Sequence, residues 1–492
     1  MNLSQKNRTI LAISVSIVFY FLFAYFLDRT NFIQLTFQYV ILFIPFWYFI
    51  KKEKDNFPLL VGIAILFRLI FLYAIPNLSQ DFYRFIWDGR MILEGFNPYI
   101  SIPETFIDQR NFPINQAIDL YDGMGPLNAS HFTNYPPINQ LNFLLAAIFS
   151  KSSILGSIVT LRLQIILADI GIIYFGKLIL EKLKLPIHYI FLYVLNPFII
   201  IELTGNLHFE SVMLFFLVWS LYLLLQKRWI WAAILLGISV SVKLIPLLFL
   251  PLFFQWFAST PLSNLASTPL RQAQRKTLSN LTSASLQQAQ RKTLSNQKTR
   301  PCYLKGFLKF MSFGAIVIIT NIILFLPFLS SELISSYTNS VGLWFRNFEF
   351  NASIYYIARE IGYLFRGWNE IAIIGKVLPT ITILFLIIIT FFRKNKSPQQ
   401  LITGLLIGIT LYYFTTTTMH PWYLATLVLL SVFTKYRFPI VWSVVIVLSY
   451  QVYANNPWKE NLWFVGLEYL IVFGFLFWEI FQIKKSKTAL NL

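Results

Sequence analysis

Long apolar stretches, parted by short polar turns, run through almost the whole chain. They fall at about 9–27, 33–50, 57–75, 157–180, 187–204, 209–226, 229–257, 306–329, 371–392, 399–418, 421–434, 438–454 and 462–482. A helix needs roughly 20 apolar residues to cross the ~30 Å hydrocarbon core of a bilayer. No stretch alternates apolar and polar residues as a membrane β-strand does. Helices are the only other way to span lipid with every backbone group paired. The pattern therefore predicts an all-α, polytopic helical membrane protein of roughly 12–14 spans. Charged residues make up 12% of the 492 and hydrophobic residues 57%. Soluble proteins are roughly 25% charged, so a water-soluble globule and a disordered chain are both excluded. The single cysteine, Cys302, forbids an intrachain disulfide.

The 40 basic and 21 acidic residues leave a net charge of +19. In a soluble protein this would suggest nucleic acid. Here much of the excess sits in short runs between apolar stretches: Lys51, Lys52 and Lys54; Arg393, Lys394 and Lys396; Lys484, Lys485 and Lys487. Such runs set orientation through the positive-inside rule, so the expected partner is membrane lipid and not nucleic acid. Lys6 and Arg8 precede a first apolar run that reads as an uncleaved span. Both termini are then expected in the cytoplasm. Segment 76–137, with seven acids and three bases, becomes a large first extracytosolic loop. Segments 330–370 and Asn455–Asn461 fall on the same outer side.

The middle of the chain leaves two readings. If 138–150 spans, the basic turns Glu181–Lys184 and Gln226–Arg228 lie outside, against the charge rule. If it only dips, those turns lie inside, and 229–257 forms a hairpin bent near Pro246 and Pro251. Four parts are expected: a two-helix hairpin over 1–56, core helices over 57–257, a basic cytoplasmic insertion over 258–305, and C-terminal helices over 306–492. The insertion holds eight bases and no acids, and repeats Leu270–Asn280 as Leu286–Asn296. Two copies are too few for a solenoid; a disordered segment without a catalytic role is expected, with a basic strip on anionic lipid as the alternative.

Polar chemistry concentrates just after the third stretch, in Ser79–Tyr99, SQDFYRFIWDGRMILEGFNPY. Asp81, Arg84 and Asp88 stand three and four apart and so share a helix face. Phe82, Phe85, Ile86 and Met91 suit a helix lying at the membrane surface. A carboxylate beside a cation can serve as a general base on a hydroxyl, and an arginine can hold a phosphate. A solvated ion-pair cluster is the plainer alternative. His208 and Glu210 flank one apolar residue and reach one side of a turn. They lack a third ligand nearby, so no dedicated metal site is expected. Lys243 lies within an apolar run, where a lone cation is functional, paired or snorkelling. His420, Trp422 and Tyr423 open a late helix, as an aromatic belt or as substrate contacts. Arg162, Asp169 and Glu202 are read as mutual ion pairs.

The stretch DFYRFIWDGRMILEGFNPY closely resembles the D-x-Y-R-Y-x-W-D-G-R…G-x-N-P-Y segment of bacterial polyprenol-phosphate-mannose-dependent mannosyltransferases, within the C-type superfamily of integral membrane glycosyltransferases. Further likenesses follow in order: Asn134–Pro137 (N-Y-P-P), Asn196-Pro197, Gly205–Ser211 (G-N-L-H-F-E-S), Val242–Pro246 (V-K-L-I-P), Phe350–Ser353 (F-N-A-S) and His420–Leu424 (H-P-W-Y-L). They cover about residues 57–480 apart from the insertion.

The resemblance implies a bacterial cytoplasmic (inner) membrane enzyme with its catalytic acid near the start of the first outer loop. Asp81 stands there as the base. Gln80 stands where many relatives carry a second acid, so the paired-carboxylate variant is not expected. The implied donor is a hexose, expected to be mannose, on a polyprenyl phosphate, transferred with inversion to a hydroxyl of a glycolipid, polysaccharide or protein. Arg84, Asp88, His208, Glu210, Lys243, His420 and Tyr423 are the expected substrate contacts, and no cofactor is implied. The alternative class is a multi-pass transporter or lipid flippase. That class places its polar site near the bilayer midplane, often between two related halves; here the densest polar cluster is in a loop. Removing Thr260–Lys298 is predicted to leave sugar transfer within a few-fold of the intact chain. Loss of transfer by a deletion protein that still accumulates in membranes would show that the insertion takes part.

Overall fold

The computed structural model describes residues 4–258, 303–346, 348–455 and 457–489. The repeat-bearing insertion lies outside them except at its ends. Among the described residues every regular element is helical, apart from an isolated bridge between Phe350 and Thr418. Helix α1 (Gln5–Phe26) leads to α2 (Phe32–Ile41), α3 (Phe43–Lys52) and α4 (Phe57–Ile70). The first loop then folds into α5 (Asp81–Leu93), α6 (Pro103–Asp108) and α7 (Ala117–Ala129). Helices α8 (Pro137–Phe149) and α9 (Ile154–Leu183) follow, then short α10 (Phe191–Val194) and α11 (Pro197–Ile199), and a π-turn over Ile200–Gly205. The half closes with α12 (Glu210–Leu225), α13 (Trp229–Val242) and α14 (Phe254–Ala258). Beyond the insertion come α15 (Tyr303–Phe325), α16 (Leu333–Arg346), α17 (Ile354–Arg366), α18 (Ile371–Phe392), α19 (Pro398–Thr415), α20 (Ala425–Val432), α21 (Phe438–Val445) and α22 (Leu462–Ala489).

The protein is a polytopic helical membrane protein, as the apolar pattern implied. Among the described residues six helices are long and apolar enough to cross a bilayer: Gln5–Phe26, Phe32–Lys52, Ile154–Leu183, Leu304–Phe328, Ile371–Phe392 and Leu462–Lys485. A pair bent by 50°, Ile187–Val194 with Pro197–Gly205, makes a further candidate, and seven apolar helices are shorter. The outward faces are greasy: α15 buries Phe313 and Val317 but exposes Leu308, Met311, Ile319 and Ile322. Lipid is the solvent for those side chains, so the polar residues turn inward.

The 229–257 stretch is not one helix: α13 ends at Val242, and a tight helical stretch over Ile245–Phe253 follows before α14. At about 1.5 Å per residue, the 13 residues of α8 reach about 20 Å, short of a full crossing. Helices α12 and α13 form a hairpin whose open ends meet through an ion pair between Glu210 and Lys243. The Gln226–Arg228 turn is therefore at the far end. The bend comes earlier than the prolines themselves. Helix α13 stops at Val242, and Lys243 is extended (φ −147°, ψ 142°). Proline at 246 would set its ring against the carbonyl four residues back, that of Val242, so the helix cannot continue. The far end also gathers other turns: Gln399 Nε2 donates to the Leu183 carbonyl, the Asn395 amide to Gln255, and Lys309 lies over the Trp229 and Phe257 rings.

Arg162, Asp169 and Glu202 do not pair with one another. Asp169 is bound by Arg68 at 2.7 Å. Glu202 accepts from the Tyr450 hydroxyl at 2.6 Å. Arg162 donates to the carbonyls of Leu72, Thr204 and Gly205 at 2.8–2.9 Å. Thr204 and Gly205 close the π-turn, where the last carbonyls of a helical segment lack helical partners, and a guanidinium with five donors suits them.

The first-loop helix α5 is not a surface helix. Phe82, Phe85, Ile86, Trp87 and Met91 are all buried; α5 packs between α7 and α8, and Phe85 stacks on Phe143 at 4.6 Å. Gly89 permits this approach: a Cβ there would stand 2.1 Å from the Phe143 carbonyl oxygen. Backbone cannot retreat as a side chain can. Gly89→Ala is predicted to destabilise the fold by at least about 1–3 kcal/mol, the range for overpacking. The check is thermal unfolding in detergent; an unchanged midpoint would show that α5 and α8 can separate freely.

Candidate active site

At the start of α5 a cavity of about 300 Å³ opens among the first loop, the Lys243 break and the His420 segment. Asp81, Lys243, His420 and Tyr423 all line it. Four polar contacts place Asp81. The Leu78 amide donates to Asn206 Oδ1 at 2.9 Å, which anchors the chain entering α5. The Asp81 amide donates to Ser79 Oγ at 3.3 Å. Gln80 turns away, its Nε2 donating to the Met124 carbonyl at 3.0 Å. The Asn128 amide then donates to Asp81 Oδ1 at 3.4 Å. Burial holds the Asp81 carboxyl above its ordinary range, while Lys243 and Asn128 pull it back. A carboxylate so placed is a stronger base than one in water.

Lys243 reaches this cavity because the helix breaks at its backbone. Its ammonium is bound by Glu210, whose side chain is fully buried while that of Lys243 stays partly open. Behind Lys243, an apolar groove of about 450 Å³ runs between α13, α15 and α16. Val240, Leu247, Ile318 and Phe325 line it, and Leu244 borders both groove and cavity.

The late motif arrives by strand-like pairing. The Phe350 amide donates to the Thr417 carbonyl at 3.1 Å, and the Met419 amide to the Phe350 carbonyl at 2.8 Å. This fastens the F-N-A-S segment to H-P-W-Y-L. Asn351 is buried and donates to Glu468 at 3.1 Å. His420 stacks on Trp422 at 4.5 Å, and His208 covers the other Trp422 face at 3.8 Å. Burial, with Lys243 second, pushes the His420 imidazole down to about 3, so at neutral pH it is uncharged.

The remaining candidates stand back from the cavity. Arg84 binds Asp88 at 2.7 Å and donates to the carbonyls of Asn128 and His131. Asp88 also accepts from Gln140 at 3.0 Å. The two brace the loop and do not line the cavity. His208 and Glu210 sit just behind its wall. Among the described residues, no three His, Cys, Asp or Glu side chains gather in a metal-binding group.

Several lining residues escaped the motif reading, among them Arg29, Asn128, Tyr453 and Trp458. Arg29 lies on the turn after α1, and Tyr453 and Trp458 beside the segment between α21 and α22. Both segments were expected on the outer side, so orientation was the signal that could have joined them.

Fold and cavity together define a helical membrane protein with a half-buried carboxylate and a lysine in one cavity, which adjoins an apolar groove at Leu244. Residues 25–259 match the family described as alpha-(1->6)-mannopyranosyltransferase, N-terminal domain. The chain is also 25% identical over 224 residues to alpha-(1->6)-mannopyranosyltransferase A of Corynebacterium glutamicum, a match covering 42% of each protein. It thus spans less than half the length of that relative. The resemblance to bacterial mannosyltransferases read from the motifs is borne out. The matched region contains Arg29, Asp81, Glu210 and Lys243, but not His420, Tyr423, Tyr453 or Trp458.

A reaction in which Asp81 accepts a proton must slow as pH falls through its raised pKa. Its acid limb is predicted above the ordinary aspartate value of about 3.9. Lys243 pulls that pKa down, so Lys243→Met should move the limb to higher pH as well as lowering the rate. A pH–rate profile whose limb stays in place in Lys243→Met would disconnect the two groups.

Proposed function

We propose that this protein is a membrane mannosyltransferase that moves mannose from a polyprenyl phosphate to an acceptor hydroxyl at the outer membrane face, with inversion. The observation that carries the reading is the Asp81 carboxylate, held in the same cavity as Lys243, with an apolar groove adjoining that cavity at Leu244. A prenyl chain suits the groove, whose lining includes the outward-facing Ile318, Ile322 and Leu326, because it can enter from lipid without leaving an apolar medium. Its phosphate would then meet Lys243. The acceptor oxygen attacks the anomeric carbon and its proton passes to Asp81. The bond from that carbon to the phosphate oxygen breaks on the opposite face, and polyprenyl phosphate leaves with the electron pair. Lys243 stabilises the growing phosphate charge, and neutral His420 and Tyr423 supply hydrogen bonds. Arg84 and Asp88 are assigned to holding the loop. Charge supports outer-face placement: Lys51 at the end of α3, Lys227 and Arg228 between α12 and α13, and Lys394 and Lys396 between α18 and α19 stand at helix ends that do not line the cavity, and basic turns stay in the cytoplasm.

Asp81→Asn preserves shape but cannot accept the proton. Loss of a general base is worth about 10²–10⁴-fold, so turnover should fall by that much in proteoliposomes given radiolabelled polyprenyl-phosphate mannose, while donor binding changes little. Asp88→Asn is the comparison. Breaking a buried pair destabilises by about 3–5 kcal/mol, so yield should fall, yet the folded fraction should keep turnover within about tenfold, short of the general-base loss. Wild-type turnover from folded Asp81→Asn would sink the assignment.

A further inference from the structure

Arg29 is a second cation in the cavity wall, and it is held differently from Lys243. Its guanidinium lies over the Tyr453 ring at 4.8 Å and the Trp458 ring at 5.2 Å. The two rings meet edge to face at 5.2 Å. Among the described residues no carboxylate forms an ion pair with Arg29. The adjacent Asp28 instead accepts from the Thr30 amide at 2.9 Å. Cation–π contact holds the plane of a guanidinium but leaves its in-plane N–H donors unspent, and that fork matches a phosphate or carboxylate in bidentate fashion. Lys243 differs: its charge is already matched by Glu210.

We propose that Arg29, Tyr453 and Trp458 form the acceptor subsite, and that it takes a sugar carrying an anionic group, phosphate or carboxylate. This rests on the reading of the protein as a mannosyltransferase whose donor phosphate meets Lys243. The apolar groove touches the cavity at Leu244, beside Lys243. Arg29 comes from the turn after α1, and Tyr453 and Trp458 from the segment before α22, so the corner is built from other elements. Trp458 is 59% exposed, which leaves aromatic surface for the C–H face of a pyranose. An acceptor bound here would bring its hydroxyl toward Asp81 in the same cavity, while its charge stays clear of the donor phosphate.

The test is binding without donor, so that it stands apart from any failure of transfer. The probe is mannose 6-phosphate, followed by tryptophan fluorescence and calorimetry on the purified full chain in detergent. Wild type should bind it more tightly than mannose. Arg29→Gln should weaken binding by about 10- to 100-fold, as loss of a charge-assisted hydrogen bond does. Arg29→Lys should restore only part, because the fork is lost. The double variant Lys243→Met with Glu210→Gln, which removes the buried carboxylate's charge together with its cation, should leave binding within a few-fold. No binding by wild type, or equal binding by folded Arg29→Gln, overturns the proposal. Loss in that folded double variant with retention in Arg29→Gln also overturns it, by placing the anion on Lys243. Glycerol phosphate is the headgroup control. If it binds as tightly as mannose 6-phosphate, the corner reads phosphate alone and the sugar assignment falls.

Discussion

The closure of α12 against α13 by Glu210 and Lys243 is the contact on which the cavity depends. A carboxylate buried without a partner is untenable in a low-dielectric interior. Glu210 therefore requires its cation, and the cation can reach it only because Pro246 ends α13 at Val242. The same break carries Leu244 to the border between chamber and groove. One backbone interruption thus sets the charge beside Asp81 and the junction of polar and apolar space.

A second constraint is the π-turn at Ile200–Gly205. Arg162 takes up its loose carbonyls, and the chain beyond it is strained: Leu207 is a non-glycine residue at φ +61°. Strain of this kind persists where neighbours over-determine it. Here Asn206 donates back to the Ile201 carbonyl at 3.0 Å and accepts from Leu78 at 2.9 Å. The G-N-L-H segment therefore positions the entry to α5 from one side and presents His208 to Trp422 from the other. Its motif character is explained by geometry before any contact with substrate is invoked.

Much of this was legible in the sequence, and for physical reasons. Apolar runs of spanning length have no other stable outcome in lipid, so the helical class was forced. Asp81 and Lys243 stood out because charge is scarce in this chain. Arg84 and Asp88 were harder, since spacing of four on a helix serves a ligand site and an internal ion pair equally well. The surface placement of α5 failed because its apolar face was read against lipid, whereas α7 and α8 cover it. Arg29 and Trp458 come from opposite ends of the chain, and no local pattern marks a guanidinium held by rings and not by a carboxylate.

The His420 column shows why those two cations matter. His208, Trp422, His420 and Phe350 stack in sequence, at 3.8, 4.5 and 5.3 Å. Both faces of Trp422 are spent, and only 9% of it is exposed, so it cannot offer a ring face to a sugar. It serves as the spine that fixes the His420 edge. Burial keeps that imidazole neutral, which leaves Arg29 and Lys243 as the fixed positive charges among the described residues of the cavity wall. One is neutralised by a buried carboxylate and strengthens its grip only as charge grows on a leaving phosphate. The other keeps its charge unmatched and its donors open in the ground state. A cavity with one cation of each kind can distinguish an anion that forms during reaction from an anion that arrives with the substrate.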